Sequence, residues 1–149
     1  MNNKTSKTTG NQSAIHGQFE VTIRGQILIS HTWGPFNLEC INAYREHLDL
    51  KIQSLKGQPW AMLAVANGAP LHTPTSMEEM VKTIQYQRKL GRCATAIVIG
   101  DVEAANIVKY MLSSMYLQAD EPHIFAGDEA SATTWLETQI ANAQTAWAK

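Results

Sequence analysis

Residues Gly57–Val81 read GQPWAMLAVANGAPLHTPTSMEEMV, and the parsing of this stretch decides the fold. It opens at a Gly/Pro break, and seven residues without a charge follow from Trp60 to Ala66. The run does not alternate, so both faces of the strand it predicts are covered, as in the centre of a parallel sheet. Asn67-Gly68-Ala69-Pro70 then predicts a turn. The hydroxyl residues after it predict a helix start. Either Thr73 and Pro74 are N-cap and first helical residue, or Ser76 and Glu79 form a capping box. Met77, Met80, Val81, Ile84 and Leu90 make the buried stripe, and Gly91 ends the helix.

The same grammar extends in both directions. Downstream, Ala94–Ile99 repeats the central-strand composition. Gly100-Asp101 is expected to cap a helix that turns Val102, Ala105, Val108, Met111, Leu112 and Met115 inward. Pro122–Ala126 is a short last strand, and Asp128 caps a final helix through Trp135, Leu136 and Ile140 towards Trp147. Upstream, Phe19, Val21 and Ile23 alternate with polar residues, and after Gly25 Ile27, Ile29, His31 and Trp33 alternate with Leu28, Ser30 and Thr32. A two-residue turn, Gly25-Gln26, would set Val21 opposite Ser30. A three-residue loop, Arg24-Gly25-Gln26, sets Ile23 opposite Ile27 and Val21 opposite Ile29. The second keeps the apolar set together and is the register expected, leaving Glu20, Thr22, Ser30 and Thr32 on a wet face. Gly34-Pro35-Phe36 stops the second strand. Asn37 caps a helix that buries Leu38, Ile41, Tyr44 or Arg45, Leu48, Ile52 and Leu55.

The order is β-β-α-β-α-β-α-β-α, an α/β fold with a five-stranded, mostly parallel sheet and an amino-terminal antiparallel hairpin. Parallel crossovers are right-handed in about 98% of cases. With strands side by side in chain order, every helix is therefore expected on one sheet face. The other face is left for loops, a tail carrying Trp147, or a second copy of the chain.

Composition narrows the function classes. The 149 residues suit one domain. Residues 1–17 are Asn, Thr, Ser, Lys and Gly with little to bury, and are expected to be a disordered tail before a domain spanning 18–149. A net charge of −1 gives no long-range attraction for nucleic acid. No apolar run approaches the roughly 18–20 residues of a membrane span. Two isolated cysteines, Cys40 and Cys93, frame neither a disulfide scaffold nor a metal site, which fits a reducing, cytoplasmic setting.

Motifs that carry chemistry are sparse. No phosphate-loop or dinucleotide fingerprint follows any strand, and the third strand ends without a receiver-type carboxylate. Cys40 and His47 share a helix, but a small buried thiol accounts for Cys40. His31, His47, His72 and His123 lie on different elements and predict no metal site. No cofactor is expected, and no acid–base pair marks an enzyme. His72 is the histidine to watch. Thr73, Thr75 and Ser76 have a sufficient role in capping, yet a helix start is also where a phosphoryl group is well received, so they are switch or ligand-contact candidates. Met77, Met80, Met111 and Met115, at helical spacing, are candidates to line an adaptable apolar pocket.

The hairpin-first order, PWAMLAVA, TPTS, the GPFNLE link and the FAGDEASATTWL carboxyl end together resemble the SpoIIAA-like family, small bacterial proteins of the STAS superfamily related in fold to CRAL-TRIO lipid-binding domains. The likeness covers about Gly17 to Ala141. It implies a β/α superhelix with strands in chain order and a regulatory binding module; the uncovered apolar face of the third and fourth strands adds a protein partner or a second copy of the chain as the expected occupant. The phosphorylated serine of the anti-sigma antagonists lies in an Asp-Ser-x-Gly-type motif; between Ala66 and Met77 this chain has none, and only Thr73, Thr75 and Ser76 occupy the place. The CRAL-TRIO side of the likeness implies a small lipophilic ligand held between helices and sheet.

Overall fold

Strand and helix alternate along the chain as its hydrophobic pattern predicts, in a computed structural model that describes residues 17–102 and 104–147. The expected tail, but for Gly17, lies outside the described residues. The elements are β1 (Gln18–Arg24), β2 (Ile27–Phe36), α1 (Leu38–Ile52), β3 (Trp60–His72), α2 (Pro74–Arg88), β4 (Arg92–Val102), α3 (Ala105–Gln118), β5 (His123–Ala126) and α4 (Glu129–Trp147). Among the described residues the strands form one sheet in chain order, β1 to β5. β1 runs antiparallel to β2, and the remaining pairs are parallel.

Caps fall largely where side-chain chemistry places them. Asn37 Oδ1 accepts from the Cys40 N–H at 3.0 Å, and Thr73 Oγ1 from the Ser76 N–H at 3.1 Å. Asp128 Oδ1 accepts from the Ser131 N–H at 2.8 Å. Of the two readings of the second helix start, Thr73 and Pro74 are the pair realised. At Gly91, φ is +112° and a Cβ would lie 2.6 Å from the Gln58 carbonyl oxygen, so only glycine fits the passage from α2 into β4.

Three expectations are corrected. The hairpin turns on two residues: Arg24 pairs with Ile27 and Val21 with Ser30. Phe19, Val21 and Leu28 therefore share one face with Ser30 and Thr32, and Ser30 is buried rather than wet. Ile27 and Ile29 are buried on the face opposite Leu28, so neither side of β2 is wet there and alternation does not choose the register, while Thr22 on β1 stays exposed. Secondly, Asn67-Gly68-Ala69-Pro70 makes no turn. β3 continues to His72, with Trp33 opposite Asn67 and Gly34 opposite Gly68, while β4 continues to Val102. The Asn67 amide donates across to the Thr32 carbonyl oxygen at 3.4 Å, so this turn-forming side chain serves a strand instead. Val102 accordingly ends a strand, and α3 starts later, after Ala104 in the left-handed region with no side-chain cap.

The third correction concerns layering. α1, α2 and α3 cover one face, where Leu28, Met62 and Ile97 meet Leu48, Ile84 and Met115 in a single core. α4 covers the other, where Ile29, Leu63, Val65 and Val98 meet Ala132, Leu136 and Ile140. The first three helices each return the chain to a parallel strand, so handedness confines them to one side. Among the described residues no strand follows α4. It is free to cross over and bury the apolar face that β3 and β4 present there.

Candidate functional site

Beneath α1, α2 and α3 the sheet carries a patch of small side chains. Ser30 stands beside Ala64 and Thr32 beside Ala66 across the β2–β3 register. Short residues at adjacent positions leave a gap that the helices do not fill, and a cavity of about 60 Å³ results. Phe19, Phe36, Ile41, Met80, Leu112 and Met115 supply apolar wall, and Ser30, Thr32, Tyr44, His72 and Tyr116 supply polar atoms. Thr32 and His72 are only half-buried and stand towards the carboxyl ends of β2 and β3, where the cavity approaches the surface.

His72 is held from two sides. Its ring lies 4.8 Å from that of Phe36, and Nδ1 is 3.1 Å from Ser76 Oγ. Ser76 Oγ donates its proton to the Thr73 carbonyl oxygen at 3.0 Å, so the hydrogen-bond pattern assigns the imidazole proton to Nδ1 and leaves Nε2 as an acceptor. Burial pulls His72 down from 6.5 to about 4, which keeps it neutral at physiological pH. Between those two values the unfolded chain binds the proton and the folded chain resists it. Stability is thus full above about pH 6.5 and falls as pH drops towards 4, by on the order of 2 kcal/mol once partial exposure is allowed for. Urea titrations of His72→Gln should lack that slope; an unchanged slope would place its origin elsewhere.

Deeper in the same core sits an ionic cluster. Arg92 donates through Nε to Glu121 Oε2 at 2.6 Å, through Nη1 to Gln87 Oε1 at 2.7 Å and through Nη2 to Thr95 Oγ1 at 2.7 Å. Thr95 Oγ1 in turn donates to Glu121 Oε2 at 2.5 Å, and Arg88 Nη1 to Glu121 Oε1 at 2.8 Å. Burial pushes Glu121 up, but the arginines and the Thr95 hydroxyl outweigh it and hold the carboxyl below its ordinary value. Burial likewise raises the Tyr44 and Tyr116 phenols, which stay protonated. Two buried polar atoms in this region have no hydrogen-bond partner, Gln87 Nε2 and Ser30 Oγ. The Tyr44 phenol is close enough to Ser30 to be influenced by it, but not in hydrogen-bonding geometry.

Among the residues singled out from sequence, the cavity brings together His72, Met80 and Met115. Met77 and Met111 pack against the surrounding core without lining the cavity. Thr73 and Thr75 are exposed at the start of α2, whereas Ser76 is fully buried beneath His72, a poor substrate for a kinase acting on the folded chain. Cys40 lines the cavity as a neutral thiol, pushed by burial to about 11, while His47 packs edge-on against Phe19 at 5.1 Å. Among the described residues no group of His, Cys, Asp and Glu is arranged to hold a metal ion, and no helix is long and apolar enough to cross a membrane. Sequence reasoning missed Ser30, Thr32 and Tyr116, and it placed Tyr44 on the buried stripe of α1 without marking it for a cavity. The available signal was the two-residue hairpin turn, the commonest kind, which alone directs Ser30 inward.

No protein-family model matches the chain, and neither a curated protein nor a solved structure is similar to it.

Proposed function

We propose that this protein is a binding module, not an enzyme, and that it holds a small lipophilic ligand in the cavity between the sheet and α1, α2 and α3. The observation that carries the reading is the cavity itself: a largely apolar wall with a few polar atoms, the usual composition of a small-molecule site. Its 60 Å³ excludes a long acyl chain in this conformation. SpoIIAA-like membership is part of the proposal, supported by the strand order and by the sequence segments that resemble that family. Native mass spectrometry of protein purified from the expressing cells, followed by solvent extraction, is the test. A released apolar compound that raises the melting temperature when added back is the expected result. An empty protein that no apolar compound stabilises would refute it.

A regulatory, protein-binding role is the second reading, and α3 favours it. Ile107, Tyr110 and Leu117 are 64%, 80% and 70% exposed, and their spacing sets them along one helix flank. A protein partner, or a second copy of the chain, would cover them. If so, Tyr110→Lys abolishes an association seen by light scattering or pull-down without lowering the melting temperature.

A further inference from the structure

Ser30 is the residue that the fold leaves unexplained. It is 0% exposed, it lines the cavity, and its Oγ has no hydrogen-bond partner. A hydroxyl shut away from water is costly to leave unmet, and buried polar groups in folded proteins nearly always find a partner. The Tyr44 phenol lies near it without meeting it in hydrogen-bonding geometry, Ala64 stands beside it on β3, and the apolar residues of the wall include Met80, Leu112 and Met115.

We propose that the cavity takes a compact, uncharged molecule with one hydrogen-bonding group, an alcohol or a ketone, and that Ser30 Oγ holds that group. This rests on the ligand-binding reading above and specifies its chemistry. A hydrocarbon would satisfy the wall and leave Ser30 unmet. A carboxylate or ammonium would lose its hydration to a lining with no opposite charge to offer, since Tyr44 and Tyr116 are phenols and His72 is neutral. The neighbouring guanidinium, Arg92, already donates to Glu121, Gln87 and Thr95. Size follows from volume: against the ~10–15 Å³ that one water needs on the same measure, the space accepts roughly four to six water-sized groups. That is a short branched or five-membered-ring skeleton with one polar atom.

The test uses the full chain, ¹⁵N-labelled, titrated with cyclopentanol, methylcyclopentane and isovalerate, which share a size and differ in the head. Cyclopentanol is expected to shift the amide signals of Ser30 and His72 and to bind Ser30→Ala about fivefold more weakly, the worth of one hydrogen bond. Methylcyclopentane should bind both proteins alike, and isovalerate neither. Without any probe, Ser30→Ala should melt at or above the wild-type temperature, because it deletes an unmet hydroxyl; a serine with a merely structural role would lower it. Equal affinity of both proteins for cyclopentanol, with methylcyclopentane also bound, overturns the role of Ser30 while the cavity reading survives, and the Tyr44 phenol or an ordered water is then the partner of Ser30. Tighter binding of isovalerate overturns the uncharged class. If none of the three binds at millimolar concentration, the ligand-binding reading fails along with it.

Discussion

Glu121→Gln should destabilise the folded protein by about 3–5 kcal/mol at neutral pH, because it strands the Arg92 guanidinium without its counter-charge. The Arg92 side chain is 2% exposed and that of Glu121 is 0% exposed, so water cannot compensate. Both carboxylate oxygens are engaged, one by Arg92 and Thr95 and the other by Arg88. The cost comes from breaking the pair, not from any large net gain in having it. A double variant, Arg92→Met with Glu121→Leu, should therefore recover most of the loss. Acid provides an independent reading. The folded carboxyl is held below its ordinary value, so its contribution is present above the ordinary carboxylate range and is lost as pH falls through the folded value. Glu121→Gln should remove that acid-limb slope, which lies below the window of His72. Urea denaturation followed by circular dichroism measures all three effects. A single variant within 1 kcal/mol of wild type would mean that the cluster is wetter than its geometry implies.

Ending the chain at Gly127 should abolish cooperative folding. The truncation exposes Ile27, Ile29, Leu63, Val65 and Val98, which the structure buries beneath α4. Parallel strands with a bare apolar face are aggregation-prone. The expected product is insoluble, or a soluble oligomer that melts without a sharp transition. Leu136→Ala is the graded version. Leu136 is fully buried, and the substitution should cost about 2–5 kcal/mol while leaving the fold intact. Size-exclusion chromatography and thermal melts check both. A truncated chain that is monomeric and melts like the parent would show that α4 is dispensable.

Legibility differed sharply between elements. The apolar run at Trp60–Ala66, and that at Ala94–Ile99 interrupted only by Thr95, identified central strands, because a strand buried on both sides has no wet face to show. Asn37 and Asp128 were readable as caps, and Thr73 as one of two alternatives, since the side chain that satisfies a helix's first N–H groups is local to it. The turn signal at Asn67-Gly68 failed because pairing with β2 and β4 on either side outweighed it. The cavity was half legible. His72, Met80 and Met115 belong to it and were marked by their place at a helix start or on a helical stripe. Ser30 and Thr32 were assigned to solvent. Their polarity matched a wet face only so long as the sheet was assumed to have one.

What the chain's own pattern determined is the order of elements, the parallel centre and the helix starts at Asn37 and Asp128, since each depends on neighbours a few residues apart. Only the tertiary structure decided which side α4 takes, and with it the hairpin register and the inward turn of Ser30. The physical reason is that α4 is followed by no strand among the described residues, so crossover handedness does not bind it. Its position follows from which distant apolar face remains to be buried, and no local signal carries that information.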